Sequence, residues 1–145
     1  MTPDIVFQIC NTIAMIGWII LIILPTWYSS DKFIIGIIVI LFAIIYTYYI
    51  VTNLSAIDIK SFGSLKGVTA LFTNPLAVLI GWVHYLAFDL MVGSWIKKNS
   101  QKYGISHWLI IPCLLLTFMF GPIGLLLYLL IRLVKTKKYF SDNYN

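Results

Sequence analysis

Four long apolar runs separated by short polar breaks dominate the pattern of the chain. The first, Ile5 to Leu24, is closed by Pro25, and Trp27 and Tyr28 then stand where an interfacial aromatic belt belongs. It is long for a signal-peptide core and lacks a small-residue cleavage site, so it predicts a retained helix over 5–24. Gly17 within it offers a point of close helix contact. Ser29 to Lys32 make a tight polar loop before a second run, predicted as a helix over 33–51. That run is apolar all round until Tyr46, Thr47, Tyr48 and Tyr49. These tyrosines read as an aromatic belt, or, with Tyr46 and Tyr49 three apart on one face, as the lining of an apolar ligand groove. The stretch from Asn53 to Thr73 mixes Ile, Phe and Leu with Asp58, Lys60 and Lys66, the mark of an amphipathic piece lying along the interface.

Asn74 as N-cap and Pro75 at the first helical position open a third helix, predicted over 75–98, with Trp95, Lys97 and Lys98 at the membrane surface. A polar loop leads to Ser106 and a fourth helix over 107–134. At about 1.5 Å per residue that helix would be about 40 Å long, against about 30 Å of hydrocarbon, so it must tilt, start among the headgroups or bend. Gly121-Pro122 is the place for a kink. A polar tail follows.

Composition settles the class. Hydrophobic residues are 61% of 145 and charged residues 10%, with a mean hydropathy of +0.95. A soluble domain carries roughly a quarter charged residues. The chain reads as an all-α, polytopic membrane protein: one domain, 1–145, of four transmembrane helices ending in a kinked hairpin. The net charge of +5 carries no nucleic-acid signal, because its lysines sit at helix ends and in loops, and Arg132 is expected to reach for the headgroups. Cys10 and Cys113 read as buried thiols. With four spans, Lys60, Lys66, Arg132, Lys135, Lys137 and Lys138 share one side, while Lys32, Lys97, Lys98 and Lys102 hold the other. The larger set places both termini in the cytoplasm of a plasma membrane.

Candidate chemistry lies between the third and fourth helices. Ionisable residues inside a span are costly and point to a functional interior. Trp82, Tyr85 and Asp89 project one way from the third helix; His84 and Phe88 project another. Folding the hairpin brings Asp89 level with Leu115 and Thr117, and His84 level with Phe120. Pro122 cannot donate to the Phe118 carbonyl, so His84 either supplies that hydrogen bond or lines a polar pocket at mid-membrane depth. Asp89 must be protonated, paired or bonded to a hydroxyl, with Tyr85 and Thr117 as local partners. His107 is interfacial. The spacings of HExxH and CxxC metal sites are lacking, and no cofactor is indicated.

The stretches WVHYLAFDLMVGSWI and GISHWLIIPCLLLTFMFGPIGLLLYLLIR, led by NP, resemble the abscisic-acid-deficient family of small membrane proteins and its bacterial relatives. Its plant members are needed to make neoxanthin from violaxanthin. The resemblance implies four helices and a role in carotenoid or related isoprenoid metabolism, with His84, Asp89 and His107 as the reactive constellation. It also makes an aromatic groove formed by Tyr46, Tyr49, Trp82, Tyr85, Phe88 and Thr117 a place for a polyene dissolved in membrane lipid. Isomerisation, epoxide opening or oxidative conversion would suit an acid–base pair there. The other readings are a non-catalytic carotenoid-binding scaffold and a small homo-oligomeric transporter coupled to protons through Asp89.

Overall fold

The computed structural model describes residues 2–54 and 59–137, and the described regular structure is all helical. The expectations for Asp58, Lys138 and the rest of the tail fall outside the described residues. Helix α1, Pro3–Ile23, starts with Pro3 and Asp4 in its first turn, where a missing N–H costs nothing and a negative charge meets the positive end of the helix dipole. Helix α2, Ser30–Thr52, contains a π-helical stretch over Ile34–Val39. It buries Ile34, Ile38 and Phe42 and leaves Ile35, Ile37, Ile40 and Ile44 on the outside, as a helix in lipid does.

A 3-10 turn at Ile59–Gly63 and the short helix α3, Leu65–Leu71, follow. Ser64 caps α3 by accepting from the Gly67 N–H at 3.1 Å. Ile59, Phe62 and Leu65 are all exposed, the disposition of a segment in the headgroup layer. Asn74 then opens helix α4, Pro75–Lys102, and its side chain accepts from the Leu76 N–H at 2.9 Å. This helix runs four residues past the expected end, because the polar side chains of its last turns are satisfied inside the protein. Ser100 donates to the Lys97 carbonyl at 2.7 Å, and Asn99 is an acceptor for two other side chains.

Helices α1 and α4 approach through two glycine notches. A methyl at Gly17 would meet Leu90 at 2.9 Å, and one at Gly93 would meet the Trp18 ring at 2.8 Å. Trp18, Leu21, Val83 and Leu90 fill the seam and are almost fully buried. The C-terminal end of α1 is held by α4 and its neighbour. Buried Lys97 donates to the Leu24 carbonyl and to Ser30 Oγ (3.0 Å), and Gln101 donates to the Pro25 carbonyl at 3.3 Å. These carbonyls have no helical partner, so side-chain donors are required there.

The last apolar run departs from the single helix expected over 107–134. It forms α5, His107–Phe120, and α6, Pro122–Thr136, which fold back on each other. Gly121 stands between them with φ +46° and ψ −93°, a conformation that side chains disfavour. Its N–H still closes α5 on the Thr117 carbonyl at 2.8 Å, and its own carbonyl receives the Gly124 N–H at 3.1 Å to start α6. Close packing of α6 on α5 depends on Gly124, where a side chain would run into the Cys113 carbonyl and Thr117. The far end of α6 returns to the end of α4: Tyr128 donates to Asn99 Oδ1 at 2.6 Å and Arg132 to the same oxygen at 3.1 Å. Arg132 is therefore 2% exposed and does not reach out to headgroups. Among the described residues three helices, α1, α2 and α4, are long and apolar enough to cross a membrane. Helix α5, of 14 residues, is about 21 Å long at 1.5 Å per residue, short of the hydrocarbon thickness.

Candidate functional site

The break at Gly121 lies against one face of α4, and the two side chains of that face bracket it. Phe118 is the residue whose carbonyl would have bonded to the nitrogen of Pro122 in an unbroken helix. The Tyr85 hydroxyl donates to that carbonyl at 2.9 Å. The role that depth alone assigned to His84 thus belongs to its neighbour, about 100° further round the helix. One turn on, Asp89 brings its carboxyl to the start of α6. Its Oδ1 lies 3.0 Å from the point where a side chain on Gly121 would begin. Its Oδ2 is buried without a hydrogen-bond partner. The Tyr85 hydroxyl is beside the same carboxyl.

Asp89 is thereby level with Gly121, not with Leu115 and Thr117. Thr117 is fully buried, but its hydroxyl donates to the Cys113 carbonyl at 2.8 Å and is spent inside α5. The carbonyl of Phe118 at the end of α5 meets the Tyr85 hydroxyl, and the start of α6 at Gly121 meets the Asp89 carboxyl. Two complementary side chains thus meet the two broken ends.

Away from the tip, the same face of α4 continues as an aromatic wall. The Trp82 ring lies 5.3 Å from Tyr85 and 5.5 Å from Phe7 of α1. Its indole N–H donates to Asn11 Oδ1 at 2.8 Å, which satisfies the indole and the Asn11 amide oxygen within apolar surroundings. Asn11 was visible as a polar residue in an apolar run, but nothing in the sequence named Trp82 as its partner.

His84 and Phe88 face elsewhere. Their rings stack at 4.5 Å, with Tyr46 of α2 at 5.7 Å from the imidazole. His84 and Tyr46 line a small pocket of about 160 Å³ with Ile50, Phe72 and Gly81. Tyr49 does not join Tyr46 there. It lines a separate groove of about 380 Å³ between α1 and α2, beside Val6, Ile13 and Leu41. His107 sits at the other end of the bundle, with Nε2 2.8 Å from the Ile22 carbonyl, so that nitrogen carries the proton and holds the end of α1. The structure therefore brings Tyr85, Asp89 and Trp82 together, and leaves His84 and His107 at two other places. Among the described residues no group of three or more His, Cys, Asp or Glu side chains could hold a metal ion.

What this arrangement offers chemically is a carboxyl in an apolar setting, a phenol beside it, and a row of tilted aromatic rings leading up to both. No curated protein and no solved structure matches the chain. A family model described as ABA DEFICIENT 4-like matches residues 5–128, from the first turn of α1 through Asp89 and the Gly121 break to Tyr128. By that match over most of its length, this chain belongs to the ABA DEFICIENT 4-like family.

Proposed function

We propose that this protein acts on a carotenoid or related isoprenoid dissolved in the bilayer, with Asp89 as its acid–base group. Family membership suggests a carotenoid-related membrane protein. One observation carries the catalytic part: Asp89 presents a buried carboxyl oxygen with no protein partner at a helix break inside an apolar bundle. A carboxyl held away from water is suited to remain protonated and to give its proton to an oxygen function.

In this reading the polyene lies along Trp82 and Phe7, which supply an apolar aromatic surface. Asp89 protonates an epoxide oxygen of the end group, and one carbon–oxygen bond of the ring opens while the oxygen stays on the substrate as a hydroxyl. The carboxylate then takes a proton from a neighbouring carbon, leaving a rearranged isomer and a restored acid. No electrons leave the substrate, so no oxidant is needed. Tyr85, already donating to Phe118, keeps the carboxyl in place. The small apolar pocket lined by His84 and Tyr46 accommodates an apolar group of the substrate, while His107 ties α1 to the hairpin. The setting is a plasma membrane.

A second reading has its own support. Discontinuous helices whose broken ends meet a carboxylate at depth are how many transporters hold a coupling ion. In that case Asp89 would move protons with a substrate, most simply in a homo-oligomer.

Expression in a carotenoid-producing bacterial host, with chromatography of extracted pigments, separates the readings. The native chain is expected to change the pigment profile, and Asp89→Asn to restore that of the empty host. An unchanged profile with well-expressed native protein, together with proton-driven flux in liposomes, would favour transport; pigment that copurifies unchanged would favour a binding scaffold.

A further inference from the structure

We infer that residues 107–136 enter and leave the bilayer through one face, that this face rests on the anionic headgroups of the cytoplasmic leaflet, and that the start of α1 lies on the opposite side. The first link is geometric. Both ends of the α5–α6 hairpin are fixed to the same end of the bundle: His107 on the Ile22 carbonyl, Tyr128 and Arg132 on Asn99. Its tip, at Gly121, meets Asp89 near the middle of α4. The hairpin is thus re-entrant. A helical hairpin can lie in lipid this way because α-helices satisfy their own backbone groups and only the turn needs help, here from Tyr85.

The second link is charge. Once α6 turns back, the basic residues regroup. Lys32 precedes most of α2 at the end where Ser30 meets Lys97, and Lys98 and Lys102 close α4 there. Arg132, Lys135 and Lys137 end α6 at the same face. With Lys97 that is seven of the nine basic residues among those described, against Lys60 and Lys66 on the face that holds α3 and the start of α4. Four spans divided the same residues almost evenly; three spans and a re-entrant hairpin divide them steeply. A bias of that size fixes orientation with the basic face inside. Exposed lysines near the surface of an anionic leaflet are attracted to it, and Lys102, Lys135 and Lys137 are exposed. The aromatic surface of Trp82 and Phe7 then lies in the outer half of the bilayer.

Single-cysteine accessibility in the full chain tests this without reference to activity. The native Cys10 and Cys113 are buried, so the native chain serves as the unlabelled control. Thr2→Cys, Lys66→Cys, Lys102→Cys and Lys135→Cys all fall at exposed positions. With a membrane-impermeant maleimide on intact spheroplasts, Thr2→Cys and Lys66→Cys are expected to label, and Lys102→Cys and Lys135→Cys only after lysis. Labelling of Lys102→Cys and Lys135→Cys from opposite sides would restore a fourth span and overturn the hairpin. Labelling of that pair on intact spheroplasts, with the other two protected, would overturn the orientation; equal labelling of all four would overturn it as well.

Discussion

Tyr85 donates to the Phe118 carbonyl at 2.9 Å, across the gap between α4 and the end of α5. That bond replaces the one which Pro122 cannot make, so the broken hairpin and the face of α4 are a single construction. Tyr85→Phe keeps the ring and removes only the donor. It is expected to destabilise the protein by about 1–2 kcal/mol, the cost of a buried carbonyl left unmet. Thermal unfolding in detergent, followed by tryptophan fluorescence, measures it.

Gly121 is constrained twice, by a positive φ and by the Asp89 carboxyl 3.0 Å from where a side chain would begin. Gly121→Ala is expected to cost about 1–3 kcal/mol for the strained backbone. Part of the loss is expected to return in the double variant with Asp89→Ala, which removes the collision and leaves the strain. Equal losses in both backgrounds would show that the two residues do not touch.

Lys97 is 2% exposed and joins α4 to the Leu24 carbonyl and the Ser30 hydroxyl. Lys97→Met preserves most of the stem and deletes the donors. The expected loss is about 1.5–3 kcal/mol, the range for hydrogen bonds to a charged group. The same thermal measurement checks it, and Lys102→Met, at an exposed position, is expected to change stability by less than about 0.5 kcal/mol.

Much of this fold was legible in the apolar runs. Helices expected over 5–24, 33–51 and 75–98 correspond to Pro3–Ile23, Ser30–Thr52 and Pro75–Lys102, and Asn74-Pro75 marked a helix start by local chemistry alone. The Gly121-Pro122 pair marked a break, but not its sense. A kink and a reversal share that sequence, and the choice rests on the φ of Gly121 and on Gly124 meeting Cys113 and Thr117 across the hairpin. Those are tertiary facts. The same holds at the site. His84 and Tyr85 are adjacent, and which of them meets the break depends on how α4 is rotated, a quantity set by Gly93 of α4 packing against Trp18 of α1. Arg132 likewise stands in the sequence as a helix-end cation, and only the return of α6 places it on Asn99.

Purified protein supplied with a polyene epoxide in detergent gives the most direct measurement of what Asp89 does. The native chain is expected to convert the epoxide to an isomeric product, and Asp89→Asn, close in shape but without an acid, to lose about 100-fold or more of that rate. Turnover by Asp89→Asn at the native rate would contradict the account, because the carboxyl at the hairpin tip would then have no part in the chemistry.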